Sequence, residues 1–291
     1  MPLAVEPRIH GFSSKAGAKL LFFFDIYNFF YIFAVNMLEI ICIILTSAMH
    51  IGNIQTSRTD SWTTFQNPAC LVQPARFQFA AQYENEYLLA ALNTATIQMG
   101  YCNPYINIGV GFSFYGYSKY QEMQVGLTLA RRFGRFSLGI GANYYTVYAG
   151  DDLKYKGTFI PELGVTIDVT ENFTIGAFSY NPFMQKIRIT DDEKRSVSSV
   201  YSLGTDYRFY KGFHWSLQGD YDPVTTWRIA TSIEWQCIDQ LILKIGCYYR
   251  EQVVACLGVG MRFDNLQIDT NFEFNPRLGL ILKARIGYMI P

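Results

Sequence analysis

The sequence predicts an all-β fold, a transmembrane antiparallel barrel of about fourteen strands, on three observations. First, from Arg76 to the last residue the chain is a series of roughly ten-residue segments in which apolar residues alternate with polar residues or glycine. Phe136, Leu138, Ile140, Ala142 and Tyr144 interleave with Ser137, Gly139, Gly141 and Asn143. Trp227, Ile229, Thr231, Ile233 and Trp235 interleave with Arg228, Ala230, Ser232, Glu234 and Gln236. Successive side chains of a strand point to opposite faces, so one face suits lipid and the other suits water. Second, the connections between segments are short on one side, while the two longest fall on the other. Third, aromatic pairs on the apolar face (Phe136 and Tyr144, Phe213 and Tyr221, Trp227 and Trp235) share one spacing. With the strands tilted, that spacing covers about 20 Å of height, close to the ~25 Å apolar band between two aromatic girdles.

Composition agrees with a membrane-embedded barrel. Charged residues are 16% of the 291, below the roughly 25% usual for soluble domains, while hydrophobic residues are 50%. The net charge of zero offers no basic field for a nucleic acid backbone, so a nucleic acid partner is not expected. After residue 50 there is no uncharged apolar run near the 18 or so residues of a membrane helix, so the body must cross lipid as strands. Together these features point to the bacterial outer membrane.

The first fifty residues differ. From Leu20 to Ala48 the chain is nearly continuous Phe, Ile, Leu and Tyr, and the stretch from Met37 through Ile40, Ile41 and Leu45 to Thr46, Ser47 and Ala48 looks like a signal-peptide core ending in small residues. Its first part carries Glu39 and no Lys or Arg. Residues 1–50 are therefore expected to be a leader, with Met37 a candidate start and the mature chain beginning near residues 49–56. Residues 51–74 form a segment between leader and barrel, and residues 75–291 the barrel itself.

Turn residues place strands near 75–83, 92–102, 105–117, 121–132, 135–148, 157–169 and 172–181. The remaining seven fall near 196–209, 212–221, 225–236, 240–250, 253–263, 266–274 and 279–290. If the first strand leaves the periplasm, the periplasmic turns are Asn103-Pro104, Arg132 to Arg135, Thr170 to Asn172, Tyr210 to Lys211, Cys237 to Asp239 and Asp264-Asn265. The longest connections, Ala149 to Lys156 and the charged Pro182 to Arg195, then face outward, as in outer-membrane barrels.

Alternation assigns to the lumen the cations Arg76, Arg208, Arg228, Lys244, Arg262, Lys283 and Arg285 and the anions Glu162, Asp168, Asp206, Asp220, Glu234, Asp269 and Glu273. The signs balance, which suits a lattice of ion pairs better than a charge-selective constriction. Inward glycines (Gly109, Gly111, Gly139, Gly141, Gly258 and Gly260) leave room for a filler or permit bending, and the segment before the first strand is the candidate filler. The six cysteines have no metal spacing. Cys247 and Cys256 flank a turn, but alternation puts them on opposite faces. Of three histidines, His10 and His50 fall in or beside the leader, and His214 shares a strand face with Ser216 and Asp220. No cofactor site and no catalytic set are expected.

The segment Trp62-Thr63-Thr64-Phe65-Gln66-Asn67-Pro68-Ala69-Cys70-Leu71 resembles the amino-terminal Asn-Pro-Ala-Gly-Leu element of FadL-type outer-membrane proteins, and more closely the PorV/PorQ-like branch of Bacteroidetes-type bacteria. The likeness continues through Asn85-Glu86-Tyr87, Tyr115-Gly116-Tyr117-Ser118, the run from Gly126 to Gly134, and Asn181-Pro182, so it spans about residues 60–290. It implies a fourteen-stranded barrel whose amino-terminal segment folds into the periplasmic mouth as a hatch, with Asn67, Pro68 and Ala69 in that hatch. Cys70 stands where the family usually has glycine, and the chain end Tyr288-Met289-Ile290-Pro291 lacks a terminal aromatic residue. The resemblance implies a non-enzymatic barrel in contact with outer-membrane lipid. Its first functional expectation is an accessory role beside secretion-machinery or surface proteins; the alternative is passage of a hydrophobic small molecule.

Overall fold

The computed structural model describes residues 50–59, 62–72, 75–149, 154–188 and 194–291. The leader expected over residues 1–50 lies outside the described residues, except for His50. In chain order the strands are β1 (Phe77–Glu86), β2 (Asn93–Tyr101), β3 (Asn107–Tyr117), β4 (Tyr120–Phe133), β5 (Phe136–Ala149), β6 (Lys156–Thr170), β7 (Phe173–Tyr180), β8 (Lys186–Arg188) and β9 (Lys194–Ser196). They continue as β10 (Val200–Tyr210), β11 (Phe213–Asp222), β12 (Thr226–Ile238), β13 (Leu241–Arg250), β14 (Gln252–Phe263), β15 (Leu266–Asn275) and β16 (Gly279–Ile290). All but β8 and β9 form a single closed antiparallel barrel in which each strand pairs with its sequence neighbour and β1 pairs with β16. Closure leaves no free sheet edge, which hydrocarbon requires because it offers an unpaired N–H or C=O no partner.

Apolar side chains such as Ile97, Val110, Val125, Ile140, Ile229 and Ile245 are exposed on the outer wall, while their sequence neighbours are buried inside. Aromatic residues close both ends of the β11–β12 hairpin. Phe213 stacks on Trp235 with centroids 5.4 Å apart, and Tyr221 meets Trp227 at 4.8 Å.

One mouth is built from tight turns, such as Gly134-Arg135 and Lys211-Gly212, where Gly134 (φ 61°) and Gly212 (φ 81°) take the left-handed conformation that glycine tolerates without strain. The opposite mouth carries the long connection between β7 and β10, although β13 and β14 there turn on Glu251 alone. The eighth barrel strand, expected from residue 196, begins at Val200. The cause is Asn181, which is fully buried in a left-handed conformation (φ 53°). Its carboxamide accepts from the Gln185 N–H at 2.8 Å and donates to the Val197 carbonyl at 3.0 Å. These bonds turn the chain out of the wall and close β8 on β9 as a separate two-stranded ribbon, with Ile187 and Val197 buried and β8 against β6.

Candidate functional site: the plugged lumen

The lumen is filled by the chain's own residues 50–59 and 62–72, nearly all of them buried. Two apolar anchors seat this segment. Trp62, Cys70 and Leu71 pack with Ala130 of β4, and Ile51 packs with Val254 and Cys256 of β14. Each large apolar side chain so buried contributes about 1.5–3 kcal/mol by leaving water. The wall makes room with glycine. A Cβ on Gly109 would lie 2.6 Å from the Trp62 ring, one on Gly126 would lie 2.7 Å from the Phe65 ring, and one on Gly139 would strike the Pro68–Ala69 backbone.

Polar wall residues take up the segment's backbone groups, as any buried peptide demands. Gln218 Oε1 accepts the Gln55 and Thr56 N–H groups at 2.9 and 3.0 Å. Gln98 accepts the Thr64 N–H at 2.9 Å and donates to the Trp62 carbonyl at 2.8 Å, and Asn107 donates to the Leu71 carbonyl at 2.7 Å. Asn67 is completely buried; its Oδ1 caps the 3₁₀ turn Pro68–Cys70 by accepting the Ala69 N–H at 3.0 Å. Its Nδ2 reaches the Thr56 carbonyl at 2.5 Å and the paired wall carbonyls Val165 and Ala177 at 3.3 and 3.4 Å. Cys70 is buried beside the Gln55 carbonyl at 3.5 Å and is not in a left-handed conformation, so the backbone here does not require glycine.

Charges complete the seat. Glu234 holds His50 Nδ1 at 2.8 Å and Arg58 Nη2 at 3.2 Å, and Asp206 faces Arg58 Nε at 3.6 Å. Arg228 pairs with Asp220 at 2.5 Å, donates to the Gly52 carbonyl, and lies 4.8 Å from the Tyr248 ring centre. Lys283 pairs with Glu273 at 2.7 Å, faces Glu84 at 3.6 Å and donates to Asn53 Oδ1 at 2.8 Å; Lys244 pairs with Asp269 at 2.7 Å. The remaining sequence-assigned lumen charges lie elsewhere. Arg76, Arg208 and Arg262 are exposed at the tight-turn mouth, Asp168 pairs with Arg132 and accepts from Thr174 at 2.8 Å, and Arg285 is half-buried. Glu162 is buried on the inner face of β6, beside Asn143 of β5.

Several binding residues escaped sequence reasoning. His50 was assigned to the leader, yet it is buried against Glu234. Arg58 and the neutral amides Gln98, Asn107 and Gln218 went unremarked; inward alternation, applied to amides as well as charges, finds the last three. Ser216 donates to Asp206 at 2.7 Å, and Asp206 already faces Arg58. Among the described residues no cluster of three or more His, Cys, Asp or Glu could hold a metal, and Cys237, Cys247 and Cys256 are free thiols.

No protein-family profile matches the chain, and no curated protein matches it by sequence. Solved structures do match in shape. A deltaS2S3 mutant of the monoaromatic hydrocarbon channel TodX superposes with a TM-score of 0.63 at 10% identity, covering 83% of this chain and 97% of that one. The fold is that of the hydrocarbon channels. The monoaromatic hydrocarbon channel CymD gives 0.59 at 10% identity over 83% of this chain and 96% of its own, and a FadL homologue of Pseudomonas aeruginosa gives 0.52 at 13% over 77% and 93%. A closed barrel of this type with an apolar outer wall resides in the bacterial outer membrane.

Proposed function

We propose that this protein passes a hydrophobic small molecule across the outer membrane, with residues 50–72 as a hatch that must shift for passage. The observation that carries the reading is the seating of that segment. It plugs a barrel of hydrocarbon-channel fold, and many of its hold points are single hydrogen bonds and ion pairs that can be exchanged for water. The long-loop mouth is the outer side and the tight-turn mouth, where Val72, Cys102, Ile106, Asn107 and Arg131 line a pocket of about 320 Å³, is the periplasmic side. TodX of Pseudomonas putida is described as a toluene transporter, and toluene is therefore a suitable first probe. The accessory secretion role suggested by the PorV/PorQ-like resemblance gains no support from the structural matches, which are to channels. Cells carrying the protein in the outer membrane should take up radiolabelled toluene saturably and faster than cells without it. Equal uptake in the two strains would contradict the reading.

A further inference from the structure

We infer that the β8–β9 ribbon and the turn before it form a docking surface for a phosphorylated glycolipid of the outer leaflet, of the lipid A kind. The inference uses the orientation given above, long-loop mouth outward, and goes beyond the passage reading without resting on it. In the ribbon Arg188 stands directly opposite Lys194, and Lys186 shares their face, opposite Ser196. Ile187, on the other face, is completely buried, so the three exposed cations face away from the packed side. Among the described residues no carboxylate pairs with any of the three; the intervening Asp191, Asp192 and Glu193 fall outside the described residues. Like charges directly opposite on paired strands repel. An anion with several oxygens lying over them relieves that repulsion, and a phosphate accepts from guanidinium and ammonium together.

The turn ahead of the ribbon fixes its height. Tyr201 of β10, Tyr221 of β11 and Trp227 of β12 are cross-strand neighbours on the outer wall at the long-loop end, the place of the outer aromatic girdle. The Tyr201 hydroxyl donates to the Pro182 carbonyl at 3.3 Å, so the turn leaves the wall at the level where hydrocarbon gives way to head groups. The next two residues are apolar and bare, with Phe183 71% exposed and Met184 53%. Met184 takes a left-handed conformation (φ 51°) and its N–H donates to the Asn181 carbonyl at 3.0 Å, so the buried Asn181 holds the pair outward. Apolar side chains at the girdle, followed along the chain by exposed cations, match a lipid whose acyl chains lie below its phosphates. A soluble phosphate would leave Phe183 and Met184 in water, whereas the glycolipid covers both halves of the surface.

The test measures binding to the full chain in detergent by native mass spectrometry, with diphosphoryl lipid A, its dephosphorylated form and phosphatidylglycerol as probes. Wild type should hold diphosphoryl lipid A at least about tenfold more tightly than either of the others. Lys186→Gln with Arg188→Gln and Lys194→Gln should bring all three probes within about twofold of one another. The charge-matched control Arg76→Gln with Arg208→Gln and Arg262→Gln, at the opposite mouth, keeps the preference; heat-modifiable gel migration confirms folding of both variants. Phe183→Ser should weaken the phosphorylated and dephosphorylated forms by the same factor, because it removes apolar contact alone. Equal affinity of wild type for those two forms, a preference that survives the ribbon variant or vanishes in the control, or no loss in Phe183→Ser overturns the docking surface. Phosphatidylglycerol bound as tightly as lipid A also overturns it, since the ribbon would then attract any anionic lipid. None of these outcomes bears on toluene uptake, so the passage reading stands or falls separately.

Discussion

At the scale of single residues, Asn67 ties together more of the hatch than any apolar contact, because it bridges the two halves of the segment and both neighbouring wall strands. Asn67→Ala leaves buried carbonyls and the Ala69 N–H without their partner, a loss of about 1–3 kcal/mol. The Ala69 amide should then exchange with deuterium at least several-fold faster than in wild type; unchanged protection would show that the cap contributes nothing. Glu234 is the second hold point. In Glu234→Gln, His50 and Arg58 both lose the Glu234 carboxylate while Arg58 still faces Asp206, so the cost falls toward the low end of the roughly 3–5 kcal/mol for breaking a buried pair. Limited trypsin digestion should cut at Arg58 in the variant and spare it in wild type. Phe65 holds a left-handed backbone (φ 62°), a conformation costing a bulky residue about 1–3 kcal/mol, and its ring is the group for which Gly126 makes space. Strand alternation is enough to turn Gly126 inward but cannot show that a strained phenylalanine would fill the space, because backbone conformation in an irregular segment has no periodic signature.

At the scale of elements, strands were legible and irregular pieces were not. Alternation of 10 to 15 residues, as in β1, β5 and β6, is long enough to register as a pattern. The β8–β9 ribbon has three residues per strand and sits inside the charged connection that sequence marked only as a loop. Its organising residue was in plain view within Asn181-Pro182, but what the Asn carboxamide would bond to depends on partners sixteen and seventeen positions away. Asn181→Ala should release the ribbon, and cleavage by trypsin at the exposed Lys186, Arg188 and Lys194 should rise by roughly tenfold or more, since about 1.4 kcal/mol of lost hydrogen bonding corresponds to a factor of ten in opening. A cleavage rate equal to wild type would show that the ribbon is held by something else. The hatch occupies a similar position. Its residues could be named from the Asn-Pro-Ala element and the inward glycines could be counted, yet the pairing of each glycine with its occupant, Gly109 with Trp62 or Gly246 and Gly258 with Ile51, needed the closed barrel.

At the scale of the whole molecule, the barrel needs grease outside the cylinder and a packed polar seam inside. Ile140 lies mid-strand on the outer wall, opposite Leu129 and Leu163 on its two neighbours. Ile140→Arg should cost about 2–4 kcal/mol of folding free energy in a bilayer. Urea titration of the protein refolded into lipid vesicles reads that loss, and a variant as stable as wild type would mean that this face does not meet hydrocarbon. The central claim is that the internal segment must move for a ligand to pass, and a reversible staple tests it most directly. The Thr56 Cβ lies 3.1 Å from where a Cβ on Gly204 would stand, about half an ångström short of the usual disulfide range of roughly 3.5–4.5 Å. Thr56→Cys with Gly204→Cys, in a Cys70→Ala background because Cys70 Sγ lies 3.8 Å from the Thr56 carbonyl, joins hatch to wall when oxidised. Toluene uptake by cells carrying this variant should fall to the level of cells lacking the protein under oxidising conditions and return on reduction; uptake that is equal in both states would contradict a gating hatch.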